Sequence, residues 1–331
     1  MIHASDATLI NSIFQLALNK HLKAEKAMNQ IINNFIESAQ TAVLGKKHEL
    51  KLALCCFLSE GHLLIEDVPG VGKTTFAKTM AKLLDLNFSR IQFTNDLMPS
   101  DLLGIQIYDS KESKFNLIPG PIFNQFILAD ELNRGSPKTQ SALLEAMEEQ
   151  QVTLDGQTLK LPHPFFVLAT QNPRSQIGTN HLPESQLDRF MMKIKIGYPD
   201  HAFEKKLISE DLHVDNFKLL KPVINSEQLN TIHQHIKAVN VSEKLISYVL
   251  ELLENSRHNN SYQGLSPRAG RDIIKAAKTW AFIEGRNFVL PDDVQNILPS
   301  VVSHRIAPFQ SQSFEEDLEL TRSLIKLTHV D

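Results

Sequence analysis

Along the first two hundred positions, short and almost unbroken apolar runs alternate with stretches of helical period. His62-Leu63-Leu64-Ile65-Glu66 is one such run, followed by Gln125–Ala129, Phe165–Thr170 and Phe190–Ile196, while Asn87–Phe93 reads as a strand alternating through Phe88, Ile91 and Phe93. Runs this apolar suit strands buried on both faces, as in a parallel sheet. Helical segments between them predict a doubly wound α/β core. Upstream, Lys46–Leu58 reads as a helix ended by Ser59-Glu60-Gly61. Helical spacing also runs through residues 1–30 and from Met28 to about Ala42.

Two segments interrupt the alternation. Asp101–Phe115 carries Gly104, Ile105, Ile107 and Tyr108 with a polar tip at Asp109–Ser113. Gln151–Leu161 alternates around Asp155-Gly156, a strong hairpin-turn signal. Both are expected to project from the core as hairpins. Past Tyr198-Pro199 the strand signal fades, and Glu204–Leu212, Glu227–Ile236, Glu243–Arg257, Pro267–Glu284 and Asp292–Leu298 read as helices. Ser226, Ser242, Ser266 and Pro291 supply start signals. The expected organisation is a helical extension at 1–30, an α/β core at 31–199 and an all-α domain at 200–331.

Composition narrows the function classes. With 42% hydrophobic and 22% charged residues, the chain fits neither a disordered nor a membrane class. A net charge of −4 without a basic block makes nucleic acid an unlikely default partner. The two cysteines, Cys55 and Cys56, are adjacent in an apolar run and read as reduced residues packed in a helix. No signal-peptide pattern or bilayer-spanning run is present, so membrane insertion is not expected and a cytoplasmic location is.

The chemistry is carried by a loop. Asp67-Val68-Pro69-Gly70-Val71-Gly72-Lys73-Thr74-Thr75 follows an apolar strand and opens a helix, the context of a phosphate-binding loop. Gly70 and Gly72 permit backbone torsions that turn several N–H groups toward one point. The helix opening near Lys73 adds the positive end of its dipole. Lys73 is expected to reach the β- and γ-phosphates, and the Thr74 hydroxyl to ligate Mg²⁺. One position departs from the consensus: Asp67 stands where the first glycine would be.

Phe126–Glu131 is an apolar strand that ends in Asp130 and Glu131, a carboxylate pair. Asp130 is expected to hold the Mg²⁺ shell and Glu131 to polarise the attacking water. Asn172, at the end of the next apolar strand, could orient that water. Arg189 and Arg268 are candidate cations for the phosphoryl-transfer transition state, with Arg134, Arg174 and Arg271 weaker. Metal-hydrolase and Ser- or Cys-nucleophile patterns are absent: His233 and His235 are two apart on a helix and share no face.

Together these segments resemble the MoxR family of AAA+ ATPases. The resemblance rests on residues 66–74, Ala129–Arg134, Lys138–Met147, Ala169–Pro173, Leu182–Phe190, Ser266–Ala269 and Pro291–Val294, and covers roughly residues 30–310. It implies an AAA+ core with an α-helical lid, and ATP and Mg²⁺ as ligands. Lys73 and Thr74 match Walker A, Asp130 and Glu131 Walker B, and Asn172 sensor 1. Arg189 matches the arginine finger acting on a neighbouring subunit, and Arg268 sensor 2, acting within its own subunit or across the interface. It implies a nucleotide-dependent homo-hexamer that remodels or activates a client complex, often with a von Willebrand factor A domain protein. Two other readings remain open: a nucleotide-gated scaffold with negligible hydrolysis, and a DNA-handling motor. Against the motor, the insert tip balances Lys111 and Lys114 with Asp109 and Glu112. The client is not legible in these residues.

Overall fold

The computed structural model describes residues 27–173, 182–199, 201, 203–205, 217–258, 264–306 and 314–328. The expected extension at 1–30 therefore lies almost wholly outside the described residues, as do Arg174 and most of the expected helix at Glu204–Leu212.

Helix α1 passes through 27–42 and leads to α2 (Lys47–Leu58). Strand β1 (Leu63–Glu66) runs into the glycine loop and α3 (Lys73–Leu83). β2 (Phe88–Gln92) is followed by the short α4 (Pro99–Leu103) and a hairpin of β3 (Gly104–Asp109) and β4 (Lys114–Pro119). β5 (Phe126–Asp130) leads through a 3-10 turn at Leu132–Arg134 to α5 (Pro137–Glu149). A second hairpin, β6 (Gln151–Leu154) and β7 (Gln157–Lys160), precedes β8 (Phe166–Gln171). After α6 (Glu184–Leu187) comes β9 (Met192–Ile194).

β1, β2, β5, β8 and β9 form one parallel sheet in the order β2-β5-β8-β1-β9. Its three central strands, β1, β5 and β8, are buried throughout and mostly apolar because alternate residues face two separate cores. Leu63, Ile65, Phe126, Leu128, Phe166 and Leu168 face one, packed against α2 and α3. Leu64, Ile127, Ala129, Val167 and Ala169 face the other, with Leu143, Leu144 and Met147 of α5. Phe57, Phe126 and Phe166 stack with centroids 5.4 and 5.1 Å apart on the first face. Each such buried ring contributes about 1.5–3 kcal/mol.

Both expected hairpins are present. In the second, Asp155 and Gly156 have φ of 46° and 80°, the pair of positive torsions that a tight two-residue turn demands.

From Ser226 onward the named elements are helices: α7 (Ser226–Ala238), α8 (Glu243–His258), α9 (Pro267–Ile283), α10 (Pro291–Ile306) and α11 (Phe314–Leu327). α10 extends well past the expected Leu298, carrying Pro299 in its interior. A proline there removes one hydrogen bond and crowds the preceding turn. Complete burial of Val301, Val302 and Ile306 beyond it outweighs that loss. α9 lies against α2, where Ser59 bonds Thr279 at 2.8 Å and buried Cys55 points its thiol at the Ala276 carbonyl. Burial pushes the Cys55 thiol above its ordinary range, as befits a reduced packing residue.

α11 is tied to the sheet by charge. Lys193 of β9 is 1% exposed, bonds Asp317 of α11 at 2.6 Å and lies 3.7 Å from Glu66. Glu66 in turn accepts from Gln171 at 2.6 Å. No described helix is long and apolar enough to cross a membrane.

Candidate functional site

Parallel strands bring their carboxyl ends to one edge, and the register fixes which residues meet there. Gln92 pairs with Asp130, Ala129 with Ala169, and Glu66 with Gln171. Glu131, Asn172 and the loop from Asp67 each begin just past those ends, so the sheet gathers them side by side.

In the loop, Gly70 and Gly72 have φ of 89° and 91°, and a Cβ at either would meet nothing within 4 Å. The torsion, not crowding, requires glycine, and the space above the loop is open. Gly72 caps α3 without a side-chain bond, so the first-turn N–H groups face outward without a protein side chain to satisfy them. Lys73 is 9% exposed, and its ammonium donates to the Asp67 carbonyl at 2.6 Å. Burial lowers its pKa, while Asp67, Asp130 and Glu131 act in the opposite sense. Thr74 and Thr75 are half-buried on the first turn of α3, beside Lys73. Val68, Pro69 and Val71 form the rest of the loop's backbone.

The acid at the unusual position has a structural explanation. The Asp67 carboxylate accepts three backbone N–H groups: Val68 at 2.8 Å, Ile196 at 2.9 Å and Gly197 at 2.5 Å. Its carboxylate joins the loop to the exit of β9 and acts on Lys73 only through space, while its carbonyl takes the Lys73 hydrogen bond.

Asp130 and Glu131 are both tethered. Asp130 accepts from Thr170 at 2.6 Å on one oxygen and from Arg90 at 2.6 and 3.1 Å on the other. Glu131 has φ of 55°, a left-handed torsion costing about 1 kcal/mol or more in a residue with a side chain. Its carboxylate accepts from Gln92 at 2.9 Å and pairs with Arg134 at 3.2 Å. Asn172 is 1% exposed, yet neither its amide nitrogen nor its amide oxygen has a partner among the described residues. Such an amide, two positions past the Thr170 that bonds Asp130, has hydrogen-bonding capacity left for a ligand or water. The open cradle, the uncapped helix end, the buried ammonium and this amide fit a nucleotide phosphate group. Thr74 and Asp130 supply the hard oxygen donors that Mg²⁺ takes.

Arg189 and Arg268 are not brought to this edge. Arg189 precedes β9, at the amino end of the sheet, and Arg268 lies on the first turn of α9. Both pair with Glu148 of α5, at 3.2 Å each. The neighbouring Met147 carbonyl lies 3.2 Å from Nε2 of His62, at the amino end of β1. From His62 to Asp67 the chain climbs five positions of extended strand, about 16 Å. The arginine pair and the glycine loop of one chain thus occupy opposite edges of the sheet.

Arg90, Gln92, Thr170 and Glu148 were not singled out by sequence reasoning. Arg90 and Gln92 alternate with Ile91 and so look like an outward strand face; only the pairing of β2 with β5 aims them at the carboxylates.

Residues 62–192 match the family described as ATPase family associated with various cellular activities, and residues 254–324 match the AAA lid domain. The uncharacterised Bacillus subtilis protein YeaC is 41% identical over 292 residues, 88% of this chain and 91% of that protein. Chaperone MoxR1 of Mycobacterium tuberculosis is 39% identical over 275 residues, 80% of this chain and 72% of its own length. A solved structure from Cytophaga hutchinsonii, described as that of a candidate ATPase, superposes with a TM-score of 0.83 at 35% identity, covering 96% of this chain and 99% of that one.

Proposed function

Because the chain belongs to the MoxR family of AAA+ ATPases, we propose that it binds and hydrolyses Mg-ATP and uses the cycle to remodel or activate a partner protein complex. The observation that carries this reading is the convergence of Lys73, Asp130, Glu131 and the unpartnered Asn172 amide on one sheet edge, beside the open loop of Gly70 and Gly72.

In this reading the loop amides and Lys73 bind the phosphates. Thr74 and Asp130 hold Mg²⁺, which would neutralise charge on the β- and γ-phosphates. Glu131 exchanges Gln92 and Arg134 for the attacking water and accepts its proton. The Asn172 amide orients that water from its buried position. Arg189 and Arg268, far from their own loop, offset developing negative charge on the nucleotide of a neighbouring copy. That requirement favours a closed ring, hexameric as in the family resemblance.

A protein client fits the exposed surface better than nucleic acid. Ile105, Ile107, Tyr108 and Phe115 of the β3–β4 hairpin are 47–65% exposed, while its tip pairs Lys114 with Glu112. Apolar projections of this kind suit protein contact rather than phosphate binding. A von Willebrand factor A domain protein is the proposed partner class.

The test is steady-state ATPase activity over a range of protein concentrations. Specific activity is expected to rise as rings assemble. A flat, negligible activity from a chain that still binds Mg-ATP would favour the nucleotide-gated scaffold instead.

A further inference from the structure

We propose that Glu148 is a positioning residue that holds Arg189 and Arg268 together as one two-pronged anion clamp, presented to the nucleotide of a second copy of this chain. The inference rests on the ATPase reading above and adds the element that shapes its incomplete half-site.

One carboxylate touches both cations. Oε1 accepts from Nη1 of Arg268 and Oε2 pairs with Nη2 of Arg189, each at 3.2 Å. Two guanidiniums so close would repel and swing apart without the anion between them. The cluster keeps a surplus of one positive charge, the sign a phosphate group needs. Each arginine spends a single terminal nitrogen on Glu148, so the rest of each planar fork remains for phosphate oxygens.

The mounting is rigid on all three sides. α5 is fixed at its start by the Ser136 cap and by Gln140, which donates to the Leu132 and Gly135 carbonyls at 3.1 and 3.2 Å. Next to Glu148, Met147 is buried. The backbone around Arg189 is held from both sides, since Arg305 donates to the Asp188 and Phe190 carbonyls at 3.1 and 3.0 Å. Arg268 sits on a helix capped by Ser266. With the backbones set, only the two long side chains are left to steer, and Glu148 steers both. Its side chain is 40% exposed, and the arginines 30% and 37%. Ion pairs this open add little to stability. Their contribution is therefore to orientation, and it acts on another copy because the clamp and its own loop lie at opposite edges of the sheet.

The test is kinetic complementation between full-length variants. Glu148→Ala is expected to lower kcat about ten-fold, while KM and nucleotide affinity stay within about two-fold, as for misplaced rather than missing catalytic groups. Mixed with Glu131→Gln chains, which carry an intact clamp, Glu148→Ala should regain turnover. Mixed with Arg189→Ala chains it should stay low, because both partners then present defective clamps. The reverse pattern would mean that Glu148 serves its own loop through α5, and would overturn the proposal, as would an unchanged kcat. Glu148→Gln repeats the experiment with the side-chain shape kept. Loss of nucleotide affinity in both variants would assign Glu148 to folding and overturn it as well. No turnover by the wild-type chain at any concentration would defeat the ATPase reading and the clamp with it, whereas wild-type turnover with the reverse mixing pattern defeats the clamp alone.

Discussion

Glu131 and Asp67 are both acids beside the glycine loop, and their surroundings assign them opposite work. Glu131 is held by an amide and a guanidinium that side-chain motion can withdraw, at a strained torsion just past its strand. Glu131→Gln should bind Mg-ATP normally and lose turnover by a factor of about 10² or more, the range for a lost general base; binding calorimetry beside a steady-state assay checks both halves. Asp67 is consumed by three backbone N–H groups. Asp67→Ala should lower stability by roughly 2–3 kcal/mol through those unpaired donors, read in a denaturant titration, and Asp67→Asn, keeping one acceptor, should lose less. His62 carries a pH dependence. Its Nδ1 accepts from Val167 at 3.0 Å, and burial, helped by the Arg268 charge, lowers its pKa from 6.5 to about 4. The unfolded chain therefore binds a proton below pH 6.5 that the folded chain refuses until about pH 4. Stability should fall as pH drops through that window, by roughly 3 kcal/mol from this group in full, and buried His304, shifted in the same direction, adds to it. Melting temperatures at pH 7 and pH 5 check the sign, and His62→Gln should flatten the slope.

Among the elements, those buried on both faces were the most legible. β1, β5 and β8 are runs of apolar residues with two cores to fill, and their ends carried the recognisable chemistry: Lys73, Asp130, Glu131 and Asn172. α11 was not read as a separate helix, for a physical reason. Its buried positions are Asp317, Thr321 and Leu324, with Thr328 just beyond, so a stripe of correct helical period is mostly polar. The apolar signal vanishes because the buried partner it meets is an ammonium. Arg90, Gln92 and Glu148 escaped notice likewise, since a polar residue on an exposed face looks solvated until pairing shows what lies opposite. The Lys193–Asp317 contact also makes an element-scale prediction. Asp317→Ala should cost about 3 kcal/mol by leaving Lys193 with only the Glu66 carboxylate at 3.7 Å, and a Lys193→Met, Asp317→Leu pair should recover only part of it, because buried Glu66 then keeps just its Gln171 hydrogen bond. Chemical denaturation of both variants beside the wild-type chain distinguishes a weakened buried ion pair from a simple loss of contact.

At the scale of the whole molecule, one chain keeps the glycine loop at the carboxyl edge of the sheet and the arginine pair at the amino edge, and the proposed function joins them only across two copies. Turnover should accordingly depend on assembly, and dilution below the association range should abolish it without loss of nucleotide binding, a difference that paired activity and binding measurements would register. The same lengthwise separation appears in the seam between β9 and α11. Lys193, with the earlier Glu66 only at 3.7 Å, waits for its closer counter-ion, Asp317, 124 positions downstream. At about 5–20 residues per second, a ribosome needs on the order of ten seconds to deliver it. Until then the ammonium has only the more distant Glu66 carboxylate, and its edge strand lacks its α11 partner. The strand beside the glycine loop is thus among the last to be sealed, and a chain released prematurely should be recognisable to proteases by that open flank.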